Sequence, residues 1–275
     1  MSDNERATSF RSFLGPDCLR PRVVFSRDSE CYCIYCGEKS DTREHCPSKV
    51  FLSKPYPDDL PVLPACFKCN NSFSADEVYT EVYIDALKYL SGNSTSLSDR
   101  NKERIHRNTA FTDAQSDLSH YYRTGEMIRR DQIYRILTKL SLGHMVYDLT
   151  EGYSINGCSA IPSDIVYNFV MEMSEYQKDD FDDLVFMSDK IFPIIGSRVF
   201  DRIYIVEPVL NSYENDDKVG NIDINTQFVV MDWYDVQDEH YRYVAWYEND
   251  DAFHVKIVIH NFLYAEIIFP QSNLY

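Results

Sequence analysis

Two Cys-x-x-Cys pairs constrain this chain more than any other feature. Cys33-Ile34-Tyr35-Cys36 and Cys66-Phe67-Lys68-Cys69 each place two thiols one tight turn apart. Thiolates are soft ligands, and two such pairs suit one closed tetrahedral zinc site. A closed site has no open coordination position, so the ion is expected to brace structure and not to hold substrate. Zinc would stand in for a core that so small a module cannot build. Cys31 lies two residues upstream of the first pair and competes as a ligand. Cys18, Cys46 and Cys158 are scattered, a placement that speaks for a metal site in a reducing cytoplasm and against a disulfide framework.

The stretch between the pairs reads as a hairpin. Thr42–Cys46 is short and fits the end of a strand. Lys54–Asp59 is proline-rich and acidic, a loop. Leu60–Ala65 is apolar and short, a second strand leading into the second pair. From Asn70 the spacing turns helical, with Phe73, Val78, Val82, Ile84, Leu87 and Leu90 on the recurring positions, and Ser91-Gly92-Asn93 stops the run.

The hairpin holds the reactive groups. Histidine has an unperturbed pKa near neutral, so His45 can serve as a general base. Glu44 precedes it, and Asn70 comes near if the two pairs meet at one zinc. Carboxylate and amide oxygens are hard ligands that suit Mg²⁺ or Mn²⁺, and a base with a divalent ion is what phosphodiester hydrolysis needs.

Cys33-x-x-Cys36, Glu44-His45-Cys46-Pro47-Ser48 and Cys66-x-x-Cys69-Asn70 together resemble the HNH endonuclease family, in the subgroup where four cysteines brace the fold. The likeness covers residues 31–92. It implies a ββα-metal module in which His45 is the general base, and Glu44 and Asn70 hold the catalytic ion. Two positions depart from the pattern. The middle Asn, which orients the histidine, is replaced by Asp58 or Asp59. The last metal-binding position is Ser74, with Asn71 or Glu77 as substitutes. Lys49 and Lys68 are candidates for phosphate contacts. A bacterial defence or mobile-element role is a further implication of the family.

The rest of the chain extends this unit. Residues 1–30 form an irregular basic arm with a short strand at Arg22–Ser26. Residues 93–158 form a helical extension. It is polar and broken as far as residue 128, with a basic stretch at Arg100–Arg107. An amphipathic helix follows over Arg129–Leu149, expected to pack on the helix after Asn70 and to close at Glu151-Gly152. Residues 159–275 read as an acidic α+β domain. A short helix is expected over Ser163–Tyr176, then strands at Val199–Val206, Thr226–Val236, Tyr241–Tyr247, Phe253–Ile259 and Phe262–Phe269. A turn at Asn249-Asp250-Asp251 joins two of them. The fold class is α+β: a zinc-braced ββα module with helices, then a mostly antiparallel sheet.

Charge separates the two halves. Residues 1–145 hold 20 basic and 20 acidic side chains, whereas residues 146–275 hold 7 and 24. The acidic half repels phosphate and is suited to a protein partner or to self-association. No apolar run has membrane length. The expected function is therefore a cytoplasmic, metal-dependent endonuclease, acting most plausibly on DNA. The alternative is a non-catalytic zinc-braced module that binds nucleic acid or protein. Ser74, the missing middle Asn and the net charge of −17 favour it. A thiol oxidoreductase is a weaker third reading, because its Cys-x-x-Cys opens a helix in a βαβ setting and needs no second pair.

Overall fold

A computed structural model describes residues 32–104, 109–149, 164–183, 185–186, 203–206, 228–248 and 252–270. The first cysteine pair sits in a tight turn closed by a Tyr32–Lys39 bridge. Gly37, at φ +72°, takes the left-handed conformation this turn requires. Strand β1 (Thr42–His45) then pairs antiparallel with β2 (Val62–Ala65), setting Thr42 against Ala65 and His45 against Val62.

Helix α1 (Phe67–Leu90) follows at once. It starts one turn earlier than the apolar spacing predicts, because the second cysteine pair supplies its cap. Cys66 Sγ accepts from the Cys69 N–H at 3.4 Å, and Asp41 Oδ1 accepts from the Phe67 N–H at 2.6 Å. The helix ends where expected, with Gly92 at φ +82° just beyond Ser91.

Residues 93–128 are less broken than their polarity implies. They contain α2 (Asp99–Arg104) and α3 (Thr109–Thr124). Ala114 and Leu118, one turn apart on α3, are buried, so the helix turns a periodic apolar face inward although most of its residues are polar. The expected basic face at Arg100–Arg107 is largely turned inward. Arg100 donates to the carbonyls of Val50 (2.6 Å) and Leu52 (2.8 Å), and Arg104 pairs with Glu81 at 2.9 Å. Arg107 lies outside the described residues. Helix α4 (Arg130–His144), continued by a π-helical turn at Met145–Leu149, packs on α1 as expected. Arg135 pairs there with Asp76.

The C-terminal part is antiparallel sheet. Five strands run in the order β3 (Val166–Met171), β10 (Leu263–Pro270), β9 (Ala252–Ile259), β8 (Tyr241–Glu248) and β7 (Tyr234–Gln237). A separate three-stranded sheet runs β4 (Val185–Phe186), β6 (Phe228–Met231), β5 (Ile203–Val206). Two expectations need correction. The helix expected over Ser163–Tyr176 is strand β3, whose alternating Val-Tyr-Asn-Phe-Val-Met run pairs along β10. The helix follows it, as α5 (Glu175–Phe181), capped by a Ser174–Gln177 capping box. The strand expected over Thr226–Val236 breaks at Asp232-Trp233 into β6 and β7, which belong to different sheets.

Helix α4 lies against β9 and β10, so the core runs from the hairpin through α1 and α4 into the sheet. Tyr243, Phe253, Ile257, Leu263 and Phe269 are fully buried. Among the described residues no helix is long and apolar enough to cross a membrane. The arm of residues 1–30, the Glu151-Gly152 stop and the Asn249–Asp251 turn lie outside the described residues.

Candidate metal centre and the hairpin it braces

The sulfurs of Cys33, Cys36, Cys66 and Cys69 all lie within 4.8 Å of one another, and Cys36 Sγ is 3.7 Å from Cys66 Sγ. Four thiolates at about 2.3 Å from one tetrahedral ion stand roughly 3.8 Å apart. The cluster therefore fits zinc in both donor type and spacing. Three of the four cysteines are buried. Burial pushes the Cys36 thiol up to about 12, with Cys33 and Cys66 adding to the rise. Cys66 is lowered instead: burial raises it, but hydrogen bonds from the Cys69 backbone, Cys36 and Cys33 outweigh that. Cys69 is placed in a disulfide, while Cys33, Cys36, Cys46 and Cys66 are free thiols. Cys31 lies outside the described residues. Reduction of that bond is thus a condition for a four-thiolate site. The second pair does open a helix, but behind an antiparallel hairpin and not in a βαβ unit.

His45 closes β1 and is half-buried. Strand alternation puts it on the same face as exposed Arg43 and on the opposite face from Glu44. Asn70, in the first turn of α1, donates its side-chain amide to the Arg43 carbonyl at 3.1 Å and to Thr42 Oγ1 at 3.3 Å. Arg43 precedes His45 by two residues, roughly 7 Å of extended chain. The fold thus brings His45 and Asn70 to the same strand.

Glu44 is placed differently from the expectation of a ligand facing the same site. Its carboxylate turns inward, and the residue is 8% exposed. It lies 3.1 Å from Lys139 Nζ and accepts from Ser48 Oγ at 3.4 Å. Glu77, the possible substitute ligand, reaches the same ammonium, which also donates to Ser48 Oγ at 2.8 Å. Burial raises the Glu44 carboxyl above its ordinary range; the Lys139 charge opposes that rise and the Glu77 charge adds to it. Tyr35, fully buried beside this cluster, is pushed well up, chiefly by burial and then by Glu44.

Asp59 accepts from the Tyr234 hydroxyl at 3.1 Å, which ties the loop to β7. Asp58, Asn71, Ser74 and Lys68 are exposed, and Lys49 is half-buried over the Tyr56 ring. A hard divalent ion does not fit the donor set as placed, because Glu44 is committed to an ammonium and Asp59 to a phenol. Among the described residues, only the four cysteines bring three or more His, Cys, Asp or Glu ligand atoms together.

Sequence reasoning missed Lys139, although a signal exists. It falls three residues after Ile136 on the apolar stripe of α4, a position that faces the core. A second buried polar pair was also missed. Cys46 Sγ lies 3.5 Å from His144 Nδ1, and His144 Nε2 lies 2.8 Å from the Tyr241 hydroxyl, with its ring stacked on Tyr243. The chain matches no family model, no curated protein and no solved structure.

Proposed function

We propose that residues 33–90 form a zinc-braced HNH-type endonuclease module that hydrolyses phosphodiester bonds in nucleic acid, most plausibly DNA, with His45 as general base. The observation that carries this reading is the four-cysteine cluster at the root of hairpin and helix, beside which Asn70 in the first turn of α1 bonds the start of β1, the strand that ends in His45. A half-buried imidazole on the same face of β1 as exposed Arg43 supports this reading, in which His45 takes a proton from water near a bound phosphate. Asn70 acts in this reading by positioning β1. The acidic C-terminal sheet takes a protein partner or a second copy of the chain, since its charge repels phosphate.

One observation favours the rival reading, a non-catalytic zinc-braced binding module. Lys139 occupies the space between Glu44 and Glu77 that a divalent cation would need. The deciding experiment incubates the pure chain with plasmid, single-stranded DNA and RNA, each with Mg²⁺, Mn²⁺ or chelator. The nuclease reading expects cleavage that His45→Ala abolishes while zinc content and melting stay unchanged. Equal cleavage by the variant refutes the assignment, and binding without cleavage in every condition establishes the rival.

A further inference from the structure

A second constellation lies away from the hairpin. Glu81 stands eleven residues beyond Asn70 on α1, about 16 Å along the axis. From there to the ends of the β7–β8 and β9–β10 hairpins runs a cleft of about 810 Å³. Ser53, Lys88, His240 and His260 line it.

Ser53 Oγ lies 2.5 Å from His240 Nε2, and His240 Nδ1 lies 2.8 Å from the Asp238 carbonyl oxygen. A carbonyl only accepts, so Nδ1 carries the ring proton. In the neutral ring Nε2 is then the acceptor, and the Ser53 hydroxyl donates to it. A nucleophile whose proton points at a base, with that base oriented by a third group, is the arrangement that activates serine.

The hydroxyl is held from three sides. Gln237 clamps the Ser53 peptide, its Oε1 accepting from the Ser53 N–H at 2.7 Å and its Nε2 donating to the Ser53 carbonyl at 2.8 Å. Arg100 fixes the preceding turn through the Val50 and Leu52 carbonyls. His240 is fixed in turn, since its carbonyl accepts from the His260 N–H at 2.7 Å. Glu239 (φ 59°) and His260 (φ 56°) both sit in the left-handed region, where such side chains are uncommon.

We propose that Ser53 and His240 form a second, esterolytic site, which acts on a carboxylic ester through an acyl-serine intermediate. Ser53 Oγ adds to the ester carbonyl while His240 Nε2 takes its proton. The C–O bond to the alcohol breaks, and the alcohol leaves with that proton. Water, deprotonated at the same Nε2, then attacks the acyl carbon and releases the carboxylic acid and free Ser53. Lys88 supplies a cation near the cleft. It donates to the His260 carbonyl at 2.7 Å and forms no ion pair among the described residues. Acidic and basic side chains line the same walls in nearly equal number, so the substrate is a neutral ester and not a polyanion. Burial, with His240 and Lys88 nearby, drives His260 down to about 3, so it remains a neutral wall.

The test is labelling of the full chain with a fluorophosphonate, which transfers its phosphonyl group to an activated serine with loss of fluoride. Peptide mass mapping should find one adduct, on Ser53. Ser53→Ala should abolish it, His240→Gln should slow it at least about 100-fold, and His45→Ala should label like the unaltered chain. Wild-type labelling needs no variant to fold. No adduct, or an adduct on another serine, overturns the proposal. So does an undiminished rate in a folded His240→Gln chain.

Discussion

Lys139 Nζ and Glu44 Oε1 stand 3.1 Å apart at the centre of the hairpin–helix unit, where Lys139 is 1% exposed. The pair joins three elements: Glu44 belongs to β1, Lys139 to α4, and Glu77, on the same ammonium, to α1. It sets the hairpin against the helices by charge.

Lys139→Met should therefore destabilise the chain by about 3–5 kcal/mol, since it leaves two carboxylates in the interior without a counter-charge. Urea unfolding measures this. Adding Glu44→Gln and Glu77→Gln should recover much of the loss, because the charges that need pairing are then gone. If the single variant loses under about 1 kcal/mol, the cluster is not what seats the hairpin. Mn²⁺ gives a companion observation. It should raise the melting temperature of Lys139→Met more than that of the unaltered chain, because the variant frees the two carboxylates for a cation.

The thiolate cluster predicts a dependence on reductant. Reduced protein should bind about one zinc per chain, and Cys36→Ser or Cys66→Ser should weaken the site and melt the hairpin first. Protein kept oxidised should take up less, because Cys69 then keeps its disulfide. Metal analysis of both preparations reads this directly. Equal zinc in oxidised protein would remove Cys69 from the ligand set.

Two buried groups set opposing pH dependences. Burial raises the Glu81 carboxyl from its ordinary 4.5 to about 7, with Arg104 pulling it down and Asp85 pushing it up. Between those values the folded chain keeps a proton that the unfolded chain has released, so stability falls as pH rises, by roughly 3 kcal/mol at most. His260 is lowered from 6.5 to about 3 by burial and by His240, Lys88 and Arg100. There the unfolded chain binds the extra proton, so stability is lost as pH falls below 6.5. Urea unfolding across pH 5 to 6.5 in single variants separates them. Glu81→Gln should leave stability rising more steeply with pH, and His260→Asn should leave it falling relative to the unaltered chain. Other titrations are common to both variants and cancel in their difference. Slopes that do not diverge would reject one of the two assignments.

The hairpin and α1 were legible because their signals are local. Two Cys-x-x-Cys turns, a short apolar strand and a Ser-Gly stop each act within a few residues. The four thiolates were legible for the same reason. Strand β3 was not, because Val166–Met171 has an apolar density that suits a helix as well, and only its pairing with β10 decides the matter. The ion pair of Glu44 was hidden for a related reason. Its partner Lys139 is 95 residues away, and no local pattern links a strand carboxylate to a helix lysine. Ser53 and His240 stand 187 residues apart and carry no motif at all.

Gly143 supplies the sharpest packing prediction. It is interior to α4, where alanine ordinarily stabilises a helix by about 1 kcal/mol. Here a Cβ would meet Cys46 Sγ at 2.8 Å and Leu63 Cδ1 at 3.4 Å. The cysteine cannot swing away freely, since its sulfur contacts His144 Nδ1 at 3.5 Å and the residue is buried. Gly143→Ala should thus destabilise by about 1–3 kcal/mol despite its better helix propensity. With Cys46→Ala already in place the obstruction is gone, and Gly143→Ala should become neutral or stabilising. A double-mutant cycle in urea should then show a coupling of at least about 1 kcal/mol. Additive effects would mean that Cys46, just past β1, and α4 do not meet at this point, and the route by which the hairpin is seated on the C-terminal sheet would have to run elsewhere.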